Sequence, residues 1–495
     1  MTRHRLVASQ TIDRPLEDVF SFFSKPENLG RITPPAMGFE QVSSDLDMRA
    51  GLEIDHRIRP LLGIPMLWRS RIESCDPPHA FVDVQVRGPY RSWRHQHTFT
   101  AVDGGTRIDD QVEYALPFGP LGDLAHRLVV RGQLLEIFRH RARTIVDVFT
   151  TPAPNPAPLR VGVAGGTGFV GGAIALELFR RGHHVTVLSH RGDAARGPLP
   201  DAIEIREVDV ADGSMADLDE ALAGLDTLVI ALAFRNSPME APRKGQTFMA
   251  VDAGGTEHLA AAAVRVGIRR LVYLSGAGAA PDAKRHWFRA KARAEAAIRA
   301  ADLPFTIIRP TWIFGPRDVS LNRFLGFART LLAVPMTNLG RQQLAPVFIL
   351  DAARLAADSL TDPAAANQVF ELGGPANLSM REIIAHALRV ARLRRPIIPG
   401  PTPLIKLLAA PMTLLPSPPL TPDAIDFINQ PATVDLQPLL ERMPRRLTPL
   451  DEGLATYLSP EAGPGHVSIG RVGGADRDVG RGQRGQPSRG RPAAR

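Results

Sequence analysis

Residues 160–181 read Arg160-Val-Gly-Val-Ala164-Gly165-Gly-Thr167-Gly168-Phe169-Val170-Gly171-Gly-Ala-Ile-Ala-Leu-Glu-Leu-Phe-Arg-Arg181, and this stretch decides the fold. Arg160–Ala164 has the pattern of a short buried strand. It runs into three spaced glycines, then into Gly172–Arg181, where Ile174, Leu176, Leu178 and Phe179 recur at helical spacing. Each glycine answers a separate steric demand. Gly165 permits the tight strand-to-helix turn, Gly168 lets backbone approach a pyrophosphate, and Gly171 lets helix pack close to strand. A helix N-terminus offers free N–H groups and a favourable dipole to the phosphates. Thr167, Phe169 and Val170 complete this cofactor-binding loop. A second strand, His184–Ser189, follows at the distance a dinucleotide fold requires.

Working downstream, strands and helices alternate through Glu204–Val208, Thr227–Ala233, Gly254–Val266, Arg270–Ser275, His286–Ala300 and Phe305–Arg309. That alternation predicts an α/β class, a doubly wound parallel Rossmann sheet spanning 159–458. The end of the second strand selects the cofactor. NAD enzymes place Asp or Glu there for the ribose 2′-hydroxyl, whereas this chain has Ser189-His190-Arg191 and no carboxylate until Asp193. An arginine at this place accommodates a 2′-phosphate, which its planar fork suits. NADP(H) is expected over NAD(H), with His190 and Arg191 as binding residues.

The order of motifs resembles the atypical and extended short-chain dehydrogenase/reductases, including their NAD-dependent epimerase/dehydratase-like members. The resemblance implies that Asp209-Val210 touches adenine. It also implies that Leu228–Ala233, with Ala231, lies beside the adenosine ribose, and that Val251-Asp252-Ala-Gly-Gly255-Thr256 packs on it. Arg309–Pro316 and Val369–Pro375 match later strand-loops of that family. The run Pro416–Thr421 is similar to the branch containing the accessory subunit of respiratory complex I, which implies a protein-complex partner. The family's chemistry uses a Ser or Thr, a Tyr, and a Lys four residues after that Tyr. Here Lys291 retains the lysine position and is expected at the ribose. Trp287 stands at the tyrosine position, and Ala277 falls at the serine position. An indole N–H donates but does not accept or titrate usefully, so it cannot act as a general acid/base. His286 can titrate near neutrality, but one helical step turns it about 100° from the Lys291 face. Ser275 is a second substitute.

Upstream, residues 1–150 open with a strand, Arg5–Thr11, and a short amphipathic helix, Pro15–Phe23. Period-2 alternation then recurs in Gly51–Arg59, Trp68–Ser74, Ala80–Arg87, Trp93–Val102 and Thr106–Tyr114, which argues antiparallel strands. Leu121–Phe149 is long enough for an extended helix, so the segment reads as an α+β helix-grip domain with a cavity between sheet and helix. Ile12-Asp-Arg-Pro15 with Asp18-Val-Phe20, and the stretch Arg87–Phe99, resemble the START/Bet v 1-like superfamily in its polyketide-cyclase-like branch. That resemblance implies a hydrophobic small-molecule ligand. His95 and His97 share a strand face, as an i, i+2 pair must. They could form a metal pair or a proton relay, but no third ligand of suitable spacing appears. No metal is therefore expected, and the two histidines read as a hydrogen-bonded pair at the cavity rim or on the surface.

A chain of 495 residues exceeds one core and calls for two or three domains of about 100–200 residues. The prolines of Thr151–Pro158 stiffen a linker, and 459–495 reads as a disordered Arg/Gly tail. That tail holds seven Arg against three acids, +4 of the net +8, so charge elsewhere is near balance. Nucleic acid is accordingly not expected as a partner. The apolar run 401–420 is broken by four prolines, too interrupted for a bilayer span of about 20 residues. One cysteine and a polar, charged N-terminus suit the cytoplasm. Two functions follow: a nucleotide-loaded structural or sensing protein without standard redox catalysis, or an active NADP-dependent oxidoreductase or epimerase on a hydrophobic substrate, using non-standard acid/base residues.

Overall fold

The computed structural model describes all residues except 1, 45, 62–63, 213, 235–239, 241–244, 331–332, 415–421, 423–424, 427–428, 460–463 and 473–495. The run Pro416–Thr421 thus lies outside the described residues. Two sheets organise the chain. The first comprises β1 (His4–Ile12), β2 (Glu40–Gln41), β3 (Glu53–Leu61), β4 (Ile64–Asp76), β5 (Ala80–Arg87), β6 (Ser92–Val102) and β7 (Gly105–Ala115). Its neighbours are all antiparallel. A long helix, Arg131–Val148, crosses it after a π-helical turn at His126–Val130. Leu134, Phe138, Ala142 and Ile145 of that helix are buried, the 3–4 spacing that presents one apolar stripe to a sheet. Helix and sheet together make the helix-grip arrangement.

The second sheet is parallel and seven-stranded. It contains β8 (Arg160–Ala164), β9 (His184–Ser189), β10 (Glu204–Glu207), β11 (Thr227–Ile230), β12 (Leu271–Leu274), β13 (Phe305–Pro310) and the strand Gln368–Leu372. The spatial order is β10-β9-β8-β11-β12-β13-(Gln368–Leu372). Strand order therefore reverses between β8 and β11, and open α/β sheets bind ligands at the carboxyl ends of such a switch point. Val161, Val163, Leu228, Val229, Ile230, Leu271 and Val272 are all fully buried. Both faces are covered by helices, which explains why these strands are continuously apolar and not alternating.

One expectation is corrected. The Pro-rich segment is extended, and it is also pinned. Ala153 N–H donates to Arg180 O at 2.9 Å, and Asn155 Nδ2 donates to Arg181 O at 2.8 Å. The stretch 459–495 is not uniformly an unstructured tail: His466–Arg471 forms a strand antiparallel to β1, from His4↔Arg471 to Ser9↔His466. Val467 and Ile469 pack against the cluster of Leu6, Val112, Tyr114 and Phe138. Leu6 and Ala8 explain the pairing, because β1 would otherwise leave one edge of a domain core unpaired.

Ending the chain at Leu458 instead of Val472 should therefore destabilise the first domain. Losing this apolar contact costs about 1–2 kcal/mol, or about 2–8 °C in Tm. Scanning calorimetry of the two chains checks it; equal transitions would show that the strand does not pack.

Candidate functional site

The turn after β8 is set by sterics. Gly165 has φ +77°, and a Cβ there would lie 2.6 Å from Ala231 O; one on Gly171 would lie 2.3 Å from Gly165 O. Substituted residues cannot make these approaches. The first helical bond runs from Gly172 N–H to Gly168 O at 3.0 Å, so the N–H groups of Phe169, Val170 and Gly171 project from the helix end. Gly168 is exposed and a Cβ there would meet only Gly165 O, at 3.1 Å. The loop is thus a cradle of backbone donors with an open outer side, which fits a dinucleotide pyrophosphate. Thr167 is partly buried beside it, and Phe169 and Val170 pack inward against the C-terminal lobe.

At the adenine end, Asp209 Oδ1 accepts from Ala211 N–H at 2.9 Å. Val210 sits 2.9 Å from where a Gly255 Cβ would be, which holds the helix Gly255–Arg265 close to the sheet edge. Ala231 N–H donates to Ala164 O at 2.9 Å, continuing the β8–β11 ladder. His190 and Arg191 are exposed at the end of β9. Sequence reading missed one neighbour: a Cβ on Gly192 would lie 2.4 Å from Glu207 Oε2. A carboxylate from β10 therefore stands beside the residue that follows Arg191. Asp193 is turned away, accepting from Arg196 Nε at 2.8 Å.

The catalytic positions lie on β12, its following loop and the helix His286–Ala300. Lys291 Nζ lies 2.9 Å from Asp252 Oδ1 and donates to Leu232 O at 2.7 Å and Leu274 O at 3.4 Å. Those three partners match the three hydrogens of an ammonium. Burial opposes the charge, but Asp252 and Tyr273 outweigh it and hold the lysine above its usual range. Asp252, 1% exposed, also accepts from Phe234 N–H at 2.7 Å. It was legible only as an acid inside the Val251–Thr256 motif.

Trp287 is buried at 8% exposure, its ring 6.1 Å from that of Phe248 and 5.1 Å from that of His286. His286 is drawn to the outer rim, its Nε2 3.3 Å from Glu240 Oε2. Ser275 Oγ donates to Glu295 Oε1 at 2.6 Å, and Glu295 is clamped by Arg309 at 2.8 and 2.7 Å. Ser275 is thereby committed to a buried structural network. Ala277 N–H donates to Pro310 O at 2.9 Å, and its side chain brings no hydroxyl. The chain has four tyrosines. Tyr90 and Tyr114 belong to the first domain, and Tyr273 and Tyr457 are 0% and 2% exposed. Burial pushes the Tyr273 phenol up to about 12 against the pull of Lys291.

In the first domain the histidine pair is buried and not on the surface. His95 and His97 are 7% and 6% exposed, and carboxylates from neighbouring strands, Asp83 and Asp110, adjoin them. Spacing along one strand could not reveal these partners. The signal was an acid inside the apolar strand Phe81-Val-Asp83-Val84. Beside Asp110 and Arg141 lies a cavity of about 10 Å³, room for about one water.

Similarity to known proteins follows the same division. Residues 12–136 match the polyketide cyclase / dehydrase and lipid transport family, and residues 165–324 match an NAD(P)H-binding family. The chain is 30% identical over 147 residues to mouse NADH dehydrogenase [ubiquinone] 1 alpha subcomplex subunit 9, mitochondrial, covering 30% of this chain and 38% of that protein. It therefore spans about four-tenths of that relative's length. It is 29% identical over 249 residues to (4-alkanoyl-5-oxo-2,5-dihydrofuran-3-yl)methyl phosphate reductase of Streptomyces griseus, 48% of this chain and 74% of that one. A UDP-glucuronic acid 4-epimerase structure from Bacillus cereus covers 61% of this chain and 98% of its own, with 16% identity and a TM-score of 0.49. Among the described residues no helix is long and apolar enough to cross a membrane. The chain joins an N-terminal domain that matches the polyketide cyclase / dehydrase and lipid transport family to a second domain that matches an NAD(P)H-binding family.

Proposed function

We propose that the second domain holds NADP(H) as a structural or sensing ligand, without standard dehydrogenase chemistry, while the first domain holds a hydrophobic small molecule. One observation carries this reading: an indole, Trp287, fills the acid/base position, and all four tyrosines stand elsewhere. A proton donor in the transition state contributes about 10²–10⁴-fold, and neither Ser275, engaged with Glu295, nor His286, held by Glu240, replaces it. Lys291, ion-paired to Asp252, acts as a strut between the helix His286–Ala300 and the segment after β11. Likeness to an alpha subcomplex subunit of NADH dehydrogenase supports a protein-complex partner for this role. Likeness to a reductase over half of the chain favours the second reading, an oxidoreductase with unconventional proton transfer.

NADP(H) is favoured by Arg191, whose exposed guanidinium suits a phosphate dianion, with Glu207 as a counterweight that would take a ribose hydroxyl instead. NADPH should bind more tightly than NADH in a fluorescence titration. Arg191→Ala should weaken NADPH by about tenfold, the loss of one charge-assisted hydrogen bond, and leave NADH unchanged. Equal affinities, or an NADH preference that Arg191→Ala does not touch, overturn the cofactor assignment.

The purified protein with NADPH should show no alcohol or carbonyl redox turnover above background over a broad substrate panel. Trp287→Tyr with Ala277→Ser supplies the two missing groups, and any turnover should arise only there. Robust turnover by the unmodified chain, abolished by His286→Ala, would establish the oxidoreductase reading in its place.

A further inference from the structure

The register of the first sheet sets Asp83 of β5 opposite His95 of β6, and His97 of β6 opposite Asp110 of β7. Alternation then puts all four on one face. It is the face that the long helix covers, since the Phe138 ring lies 5.6 Å from that of His95 and Arg141 Nη2 donates to Asp110 Oδ1 at 3.0 Å. The cluster is buried between sheet and helix.

Hydrogen placement follows from Asp110. Its Oδ1 lies 3.1 Å from His95 Nε2 and 2.8 Å from His97 Nδ1. An ionised carboxylate only accepts, and Asp110 Oδ1 takes a hydrogen bond from Arg141 Nη2 at 3.0 Å. The His95 ring hydrogen therefore sits on Nε2. Arg141 Nη2 also stands 3.2 Å from His97 Nδ1, and a metal on His97 Nε2 would leave the Nδ1 hydrogen for the nearer Asp110. The opposite nitrogens, His95 Nδ1 and His97 Nε2, face Asp83 Oδ1 at 3.6 and 3.5 Å. In that tautomer three lone pairs converge within 4.8 Å and repel one another unless a cation lies between them.

The spacing suits a metal. Tetrahedral ligands about 2.0–2.1 Å from zinc stand about 3.4 Å from each other. Metal-bound histidines characteristically give their second N–H to a carboxylate, as both do here. We propose that Asp83, His95 and His97 bind a divalent transition-metal ion in the first domain, with Asp110 orienting both histidines. Two nitrogens and one oxygen favour zinc-like ions over magnesium or calcium. Three protein ligands leave a coordination position open.

A further buried histidine lies on the same sheet. His56 of β3, 7% exposed, has its ring between Phe39 at 5.3 Å and Trp68 at 5.8 Å. Its buried Nδ1 has no hydrogen-bond partner, and it and Asp83 lie within each other's field. A water or ligand oxygen on the metal would supply that partner. The ligand class is then an apolar molecule with one oxygen donor, its body against Trp68, Tyr90 and Trp93, whose rings lie 4.8–5.7 Å apart. Only this ligand rests on the small-molecule reading above; the metal stands without it.

The test uses untagged full-length protein, stripped with a chelator, loaded with Zn²⁺, desalted and measured by inductively coupled plasma mass spectrometry. One zinc per chain is expected. His95→Gln with His97→Gln should fall to background, while His386→Ala, a histidine of the C-terminal lobe, should keep the full zinc content. Asp110→Asn should weaken zinc by about 10–100-fold. If the double variant fails to fold by circular dichroism, Asp83→Asn carries the test, with zinc lost and the melting curve retained. Loaded wild-type protein without zinc, or folded ligand variants with wild-type zinc, refutes the site whatever small molecule the domain holds.

Discussion

Between β8 and the helix Phe169–Arg180 the backbone doubles back so closely that a single added methyl would strike a carbonyl. Much of the second domain depends on that approach. The helix can lie against the sheet only because Gly171 has no side chain in front of Gly165 O. Its free N–H groups can face the switch point only because Gly165 takes a left-handed turn beneath Ala231. Nucleotide capacity is therefore a property of backbone geometry and survives changes in the side chains around it. Catalysis in the family that the chain resembles rests on three side chains, and two of those positions, Ala277 and Trp287, carry other residues here.

This difference also explains what could be read from the sequence. The glycine spacing, the continuously apolar strands and the alternating first domain are local patterns, and local patterns carried both fold classes. The site was legible where it lies along one stretch of chain, as with Gly165–Gly171, Trp287 and Lys291. It was not legible where groups meet across strands. Glu207 reaches Gly192 from β10, Asp252 reaches Lys291 from the segment after β11, and Asp83 and Asp110 flank His95 and His97 from strands on either side. Register decides the last of these contacts, and register is a property of the sheet as a whole; the other two depend on how separate segments pack. The partner of Lys291, Asp252, likewise comes from a separate segment of the chain.

The long helix Arg131–Val148 ties the two halves together. One face of it carries Phe138 and Arg141 into the histidine cluster. The other carries Glu136 to Arg329, Arg143 to Tyr457 O and Asp147 to Arg180. Arg180 closes the very helix whose N-terminus forms the phosphate cradle. Arg31 adds a further tie, donating to Gly197 O and Leu199 O at 3.0 and 2.9 Å. With the linker pinned at Ala153 and Asn155, the fused modules share a helix and a clamped connection, and they are not beads on a flexible string.

The strand His466–Arg471 gives the chain an unusual order of construction. The first domain is discontinuous: its sheet begins at β1 and receives its last strand only after the whole nucleotide-binding domain has been made. During synthesis, domains generally fold as units from the N-terminus, so the outer edge of β1 waits open while roughly 350 further residues emerge. An open edge invites pairing with another chain. The Leu6–Ser9 edge is thus the point at which a crowded ribosome could join two nascent copies, and arrival of the last strand is what closes it.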